Sequence, residues 1–209
     1  MSEIYQVKGK LLVFEGGSSV GKTTVVRKVC DKYTEILYTR EPGGTKFGEN
    51  IRKAVQSLDP YPVGDIPSVL AYNSARAQLL EEVVCPALVT GRTVLMDRFW
   101  PSTVAYQGAS GADPTIIRTI CSIAVGETKP DVYLYLDLDP RIAYVRRYGK
   151  DDLDRHDIKA IEFHDRVRSI YKEVGKEIGE CWVEVDASKS PDEVFSSVTG
   201  ILRERNLVK

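Results

Sequence analysis

Short apolar runs alternate along the chain with longer stretches in which apolar residues recur every three or four positions. Leu11-Leu12-Val13-Phe14, Thr93-Val94-Leu95-Met96, Val132-Tyr133-Leu134-Tyr135-Leu136 and Trp182-Val183-Glu184-Val185 read as buried strands, with Ile36-Leu37-Tyr38 as a weaker fifth. The helical spacing predicts helices over about 22–33, 45–57, 66–90, 114–125, 140–147, 157–178 and 191–205. Strands alternating with helices imply parallel strands joined by right-handed crossovers, with helices covering both faces of the sheet. No repeat, low-complexity tract or linker divides the pattern, so residues 1–209 are expected to form a single domain. In folds of this class ligands bind at the carboxyl ends of the strands, which is where chemistry-bearing residues should be sought.

Directly after the first strand stands Gly16-Gly17-Ser18-Ser19-Val20-Gly21-Lys22-Thr23, two glycines at P-loop spacing followed by Lys and a hydroxyl. The glycines let backbone N–H groups curl around a polyphosphate, and the positive end of the following helix favours the same anion. Lys22 is then placed to neutralise β- and γ-phosphates, Thr23 to ligate Mg²⁺, and Thr24 to extend the cradle. A guanine-specifying Asn-Lys-x-Asp segment is absent, which argues against a GTPase. Asp97-Arg98 follows the third strand and should emerge at the same sheet edge. An acid there can hold the Mg²⁺ water shell or take an acceptor's proton, and an Arg can grip a phosphate bidentately. On the helix at 66–90 the inward stripe reads Val69, Tyr72, Arg76, Leu79, Leu80, Val83 and Ala87. Arg76 interrupts it with a charge that is expensive to bury without a partner. Tyr72 and Arg76 on one inward face suit a planar base with a carbonyl edge; the competing expectation is that Arg76 simply pairs with an acid.

Composition narrows the class. The 209 residues carry 29 Lys and Arg against 30 Asp and Glu, a net charge of −1, which argues against a nucleic-acid protein with a broad basic face. No apolar stretch approaches the ~20 residues of a membrane span, and the first residues show no signal-peptide pattern. Cys30, Cys85, Cys121 and Cys181 lack metal-ligand spacing and read as small apolar residues, so a reducing cytoplasm is expected.

With these residues placed, the chain resembles the thymidylate kinase family over nearly its full length. Thr39-Arg40-Glu41-Pro42-Gly43-Gly44-Thr45 looks like the family's Arg-Glu-Pro-Gly-Gly-Thr segment, and Ser74-Ala75-Arg76-Ala77-Gln78 like its helix beside the base. Asp97-Arg98-Phe99-Trp100-Pro101-Ser102-Thr103-Val104-Ala105-Tyr106-Gln107-Gly108 resembles its most specific signature. Asp154-Arg155 and Phe163-His164-Asp165-Arg166-Val167-Arg168 are similar to the lid and the helix after it, and Val185-Asp186-Ala187-Ser188 to the loop that touches adenine.

The resemblance implies an α/β, P-loop NTPase-type three-layer fold with a five-stranded parallel sheet and a mobile lid at about 147–157. It implies a homodimeric phosphotransferase that moves the γ-phosphoryl group of ATP onto dTMP with Mg²⁺. Tyr72 would stack on thymine, Arg76 would meet its O4 edge, and Thr103 and Gln107 would read the base edge. Tyr106 would lie against the sugar, and Arg98 with Arg40 would bind the dTMP phosphate, with Glu41 and Ser102 beside them. Asp97 would organise Mg²⁺ or the acceptor, and Ala187 and Ser188 would border the adenine. Catalytic Arg would come from the lid, where Arg146, Arg147 and Arg155 are the candidates; the sequence does not choose among them. His156 and His164 are not expected to be catalysts, although His156 adjoins Arg155. The chain departs from the family at Ser18, where an acid usually reaches toward the acceptor's sugar and its phosphate-binding Arg. Glu15, just before the loop, is a candidate substitute.

Overall fold

The computed structural model describes residues 9–56, 63–147, 156–157 and 159–208. Its strands are β1 (Leu11–Gly16), β2 (Leu37–Arg40), β3 (Val94–Asp97), β4 (Val132–Asp137) and β5 (Trp182–Asp186). They form one five-stranded sheet in the order β2-β3-β1-β4-β5, with every neighbouring pair parallel. The three central strands are buried on both faces, and this is why they read as unbroken apolar runs rather than as alternation. The two edge strands are half exposed, as the mixed composition of Leu37-Tyr38-Thr39-Arg40 and Trp182-Val183-Glu184-Val185 requires.

Alternate residues of the strands feed two separate cores. Leu12, Phe14, Leu95, Leu134 and Leu136 pack with Val25, Val26 and Val29 of helix α1 (Lys22–Lys32) and with Val194, Val198 and Leu202 of α9 (Pro191–Glu204). Leu11, Val13, Val94 and Met96 face the opposite side. There they meet Leu79 of α3 (Asp65–Leu79), a five-residue π-turn (Leu80–Val84), and Ala87 and Leu88 of α4 (Cys85–Val89). The remaining helices are α2 (Lys46–Gln56), α5 (Trp100–Ser110), α6 (Pro114–Val125), α7 (Pro140–Arg147) and α8 (Ile161–Ile178). The helix expected over 66–90 is therefore interrupted. Pro86 has no N–H to donate one turn back, and the chain absorbs the lost bond in the π-turn just before it. The wider turn advances the inward face by one residue, so Val84 (0% exposed) and Leu88 (5%) are core while Val83 is only partly buried. Val84 and Leu88, which the stripe read from the sequence leaves out, thus join the core. Helix α5 is an addition to the sequence reading, and α8 begins at Ile161 rather than 157.

No helix of the described residues is long and apolar enough to cross a membrane. The stretch 148–155, which holds most of the expected lid and Arg155, lies outside the described residues.

Candidate functional site

The register of the sheet lines up the strand ends that matter. Phe14 and Arg40 are both paired with the β3 residues around Asp97, and Gly16 is opposite Leu136. Gly16 leaves the sheet with φ 151°, and a Cβ there would stand 2.9 Å from the Leu136 carbonyl oxygen. Gly21, at φ 91°, caps α1 in the left-handed region that glycine tolerates without strain. Between them the loop of Gly17, Ser18, Ser19 and Val20 borders a large open cleft shared with Lys22, Thr23, Thr24, Arg40, Asp97, Arg98, Arg146, Arg147, Ala187 and Ser188. The sequence-predicted nucleotide residues are thus brought to one place.

Lys22 is buried, and its ammonium is held directly by the Asp97 carboxylate. Burial lowers the Lys22 pKa, while the Asp97 charge opposes that shift. Thr23 and Asp97 offer a hydroxyl and a carboxylate at the same end of the cleft. Among the described residues no set of three or more His, Cys, Asp or Glu could hold a metal by itself. Such an oxygen-only, incomplete set fits Mg²⁺, which keeps several waters and takes phosphate oxygens as ligands.

A second pocket opens beside the first. Tyr72, Arg76, Ser102, Thr103, Tyr106 and Gln107 line it together with Phe99, Pro42 and His156. Ser18, Glu41, Gln56 and Arg98 border both cavities, so the two spaces meet at Arg98.

Arg76 is 2% exposed and fully engaged. Its Nε donates to both oxygens of Glu41 (3.2 and 2.9 Å), and Nη2 reaches Glu41 Oε2 at 2.7 Å and Thr103 Oγ1 at 2.9 Å. Nη1 donates to Asn73 Oδ1 at 2.5 Å and approaches Cys121 Sγ at 3.8 Å. Arg76 thus pairs with an acid, as the competing expectation had it, and it also lines the pocket. Burial pushes the Glu41 carboxyl up, an effect that Arg76 partly offsets. The Arg76 guanidinium also lies 5.6 Å from the Phe99 ring centre. Asn73 is a residue the sequence reading passed over, although a polar side chain three positions before Arg76 on an inward face was a visible signal.

Arg98 sits at φ 74°, in the left-handed region that a non-glycine residue adopts only when its surroundings enforce it. Its Nη1 donates to Gly16 O (2.9 Å), Ser102 Oγ (3.0 Å) and Tyr171 Oη (3.1 Å), and Nη2 reaches Tyr106 Oη at 3.4 Å. Tyr106 Oη lies 3.3 Å from Ser18 Oγ, and the Arg98 guanidinium is 5.1 Å from the Tyr106 ring centre. Ser102, expected at the substrate, lines the second pocket, and its hydroxyl engages Arg98, Tyr171 and Glu15. Glu15 itself is fully buried behind the loop and outside both cavities. Burial pushes its carboxyl up to about 7, against hydrogen bonds and the Arg98 charge that pull it down.

The remaining arginines separate. Arg40 is half exposed in the cleft, held by both oxygens of Glu49 at 3.2 and 3.1 Å. Arg147 crosses to the P-loop, donating to Ser19 Oγ at 3.0 Å and to Asp157 Oδ2 at 2.5 Å. Arg146 turns the other way, donating to the carbonyls of Ala187 (2.9 Å) and Ser188 (3.2 Å). His156, set aside as a catalyst, is buried in the second pocket with its ring edge-on to Tyr106 at 5.1 Å. His164 contacts Phe163 edge-on and borders a further recess beside the loop.

Comparison with known proteins adds an independent line. The family model described as thymidylate kinase matches residues 14–198. The thymidylate kinase of Protochlamydia amoebophila is 35% identical over 211 residues, covering 95% of this chain and 94% of that protein. That of Legionella pneumophila is 37% identical over 202 residues, covering 94% and 95%. That of Geobacillus thermodenitrificans is 34% identical over 206 residues, covering 95% and 92%.

Proposed function

The chain belongs to the thymidylate kinase family, and from that membership we infer that it transfers the γ-phosphoryl group of ATP to dTMP, giving dTDP and ADP. The observation that carries the reading is the meeting of a P-loop cleft and a second pocket, lined by Tyr72, Arg76, Thr103 and Gln107, at one arginine, Arg98. A nucleoside acceptor would bring no phosphate to that junction.

In this reading the protein contributes placement and charge, which is most of what phosphoryl transfer needs. The acceptor base enters the second pocket against Tyr72, with Arg76, Thr103 and Gln107 along its edge. Glu41 and Asn73 hold Arg76 in one orientation, so little ordering remains to be done on binding. Arg98, anchored through Nη1, presents its other edge to the acceptor phosphate, with Arg40 on the open side. ATP lays its phosphates on the loop of Gly16, Gly17, Ser18, Ser19, Val20 and Gly21. Lys22 then exchanges Asp97 for phosphate oxygens, and the same exchange frees the Asp97 carboxylate to work beside Thr23 and Thr24. Thr23 and Asp97 would hold Mg²⁺, which would supply charge neutralisation for the transferring phosphate. Arg147, already on the loop at Ser19, is the arginine assigned to the transferring group, while Arg146 borders the adenine at Ala187 and Ser188.

The exposed apolar side chains Phe47, Ile66 and Leu70 on α2 and α3 support a homodimer formed through these helices, which sedimentation would read directly. The four free thiols suit a reducing cytoplasm. The deciding assay is ADP release with ATP and Mg²⁺, offering dTMP, dUMP, dCMP, dAMP, dGMP, UMP and thymidine separately. Fast turnover with dTMP, slower with dUMP and none with thymidine is expected; preference for thymidine would overturn the reading.

A further inference from the structure

Position 18 carries no acid to orient Arg98, yet Arg98 is held in a single, strained backbone conformation. What holds it lies behind it. Glu15 Oε1 accepts the N–H of Phe99 at 2.8 Å, the peptide that follows Arg98, and Arg98 N–H bonds Phe14 O at 2.8 Å. These two bonds pin both sides of the left-handed residue to β1. Glu15 Oε2 accepts from Ser102 Oγ at 2.7 Å and from Tyr171 Oη at 3.1 Å. Those same two hydroxyls meet Arg98 Nη1 at 3.0 and 3.1 Å.

The direction of these bonds matters. A carboxylate accepts and never donates, so Ser102 gives its proton to Glu15, and Tyr171 gives its own to Glu15 or to Ser102 Oγ 2.8 Å away. Their lone pairs are then left facing the guanidinium, which can donate only. Glu15 thereby converts two ambivalent hydroxyls into fixed acceptors for Arg98. A Gln in its place would offer an N–H₂ group and turn at least one hydroxyl round, aiming a proton at Nη1. The negative charge also sits in a dry site, where its pull on Arg98 is stronger than across water.

We propose that Glu15 is the positioning residue for the acceptor phosphate in this protein, fixing Arg98 through Ser102 and Tyr171 in place of an acid inside the loop. The proposal rests on the kinase reading above, and its test separates the two. Wild type is first screened with the nucleoside monophosphates, which decides the acceptor. KM for that acceptor and for ATP is then measured at pH 8 for Glu15→Gln, Arg98→Ala and the double variant.

Glu15→Gln should raise the acceptor KM about tenfold and leave the ATP KM within about twofold. Added to Arg98→Ala, it should have no further effect on the acceptor KM, because the residue it acts through is gone. Additive losses in the double variant, or equal rises in both KM values, would overturn the proposal. Ser102→Ala and Tyr171→Phe each cut one link without touching the buried charge. Each should reproduce the acceptor-specific rise in smaller measure, and failure of both to do so would also overturn it. If the screen shows a different acceptor monophosphate, the dTMP assignment falls while the Glu15 cycle is read unchanged on that acceptor.

Discussion

Replacing Glu41 by Gln removes one charge from a buried pair and keeps its shape. Glu41 is 7% exposed and Arg76 2%, so water cannot take over the role of the lost carboxylate. Removing one partner of such a pair costs about 3–5 kcal/mol, because the other charge stays buried without compensation. Unfolding entropy near 2.1 cal/mol/K per residue gives about 0.44 kcal/mol/K for a chain of 209 residues. The melting temperature should therefore fall by roughly 7–11 °C. Arg118 and Glu177 form a similarly close pair at 2.7 Å, but their side chains are 37% and 52% exposed. Surface pairs contribute about 0.2–1 kcal/mol, so Glu177→Gln should move the melting point by no more than about 2 °C. The two variants, melted side by side by calorimetry, test whether burial rather than proximity sets the magnitude. A second arm separates stability from recognition. Arg76→Met in the Glu41→Gln background removes the stranded charge and should recover most of the lost stability, while the KM for dTMP stays raised. If Glu41→Gln melts within 2 °C of wild type, the account of Arg76 as a charge dependent on Glu41 is wrong.

Other expectations follow from the same geometry. The Glu15 carboxyl, raised from 4.5 to about 7 by burial, is protonated in the folded chain at pH values where the unfolded chain has released its proton. Stability should then decline as pH rises from 4.5 to about 7, by an amount on the order of 3 kcal/mol, and stay low above it; urea unfolding at pH 5 and pH 8 should show this loss in wild type and not in Glu15→Gln. Arg147→Ala should lower kcat by at least about tenfold with a small change in ATP KM, whereas Arg146→Ala should mainly raise ATP KM; the reverse pattern in initial-rate kinetics would exchange their roles. His156→Ala opens the pocket wall beside Tyr106 and should raise the dTMP KM severalfold without changing the ATP KM.

Strands buried on both faces and helices with one buried face were legible from the sequence; a helix buried on nearly every side was not. The predicted strands fall on the observed ones because a central parallel strand is apolar throughout and short. The helices at 114–125 and 140–147 match α6 and α7 to the residue, each opening at a Pro, a residue favoured in the first helical turn. Helix α5 escaped because Pro101, Thr103, Val104, Ala105, Tyr106, Gln107 and Ala109 are all buried, which erases the 3.6-residue contrast. It was visible as a motif and invisible as a helix. The break in the helix at 66–90 did have a signal, Pro86, that the apolar stripe outweighed.

The site divides along a similar line. Residues assigned to direct contact with a ligand announce themselves by type and spacing, as the loop glycines, Lys22, Arg76 and Arg98 do. Residues that act through another side chain do not, because their meaning lies in which way a proton points. Ser102 is written in the sequence as a binding hydroxyl, and only its position between Glu15 and Arg98 makes it a link. The exchange of an acid for Ser18 looks, in sequence, like a loss of orienting charge. In the folded chain a buried carboxylate three residues earlier reaches the same arginine from behind, through two hydroxyls that stand 69 positions apart. A carboxylate inside the loop would share the open junction with the acceptor phosphate and repel it; one behind the sheet edge orients Arg98 from a place where no phosphate can come. That difference predicts that Ser18→Asp should not tighten dTMP binding. It should raise the dTMP KM, and a fall in that KM would show that orientation from behind falls short of what an acid at position 18 provides.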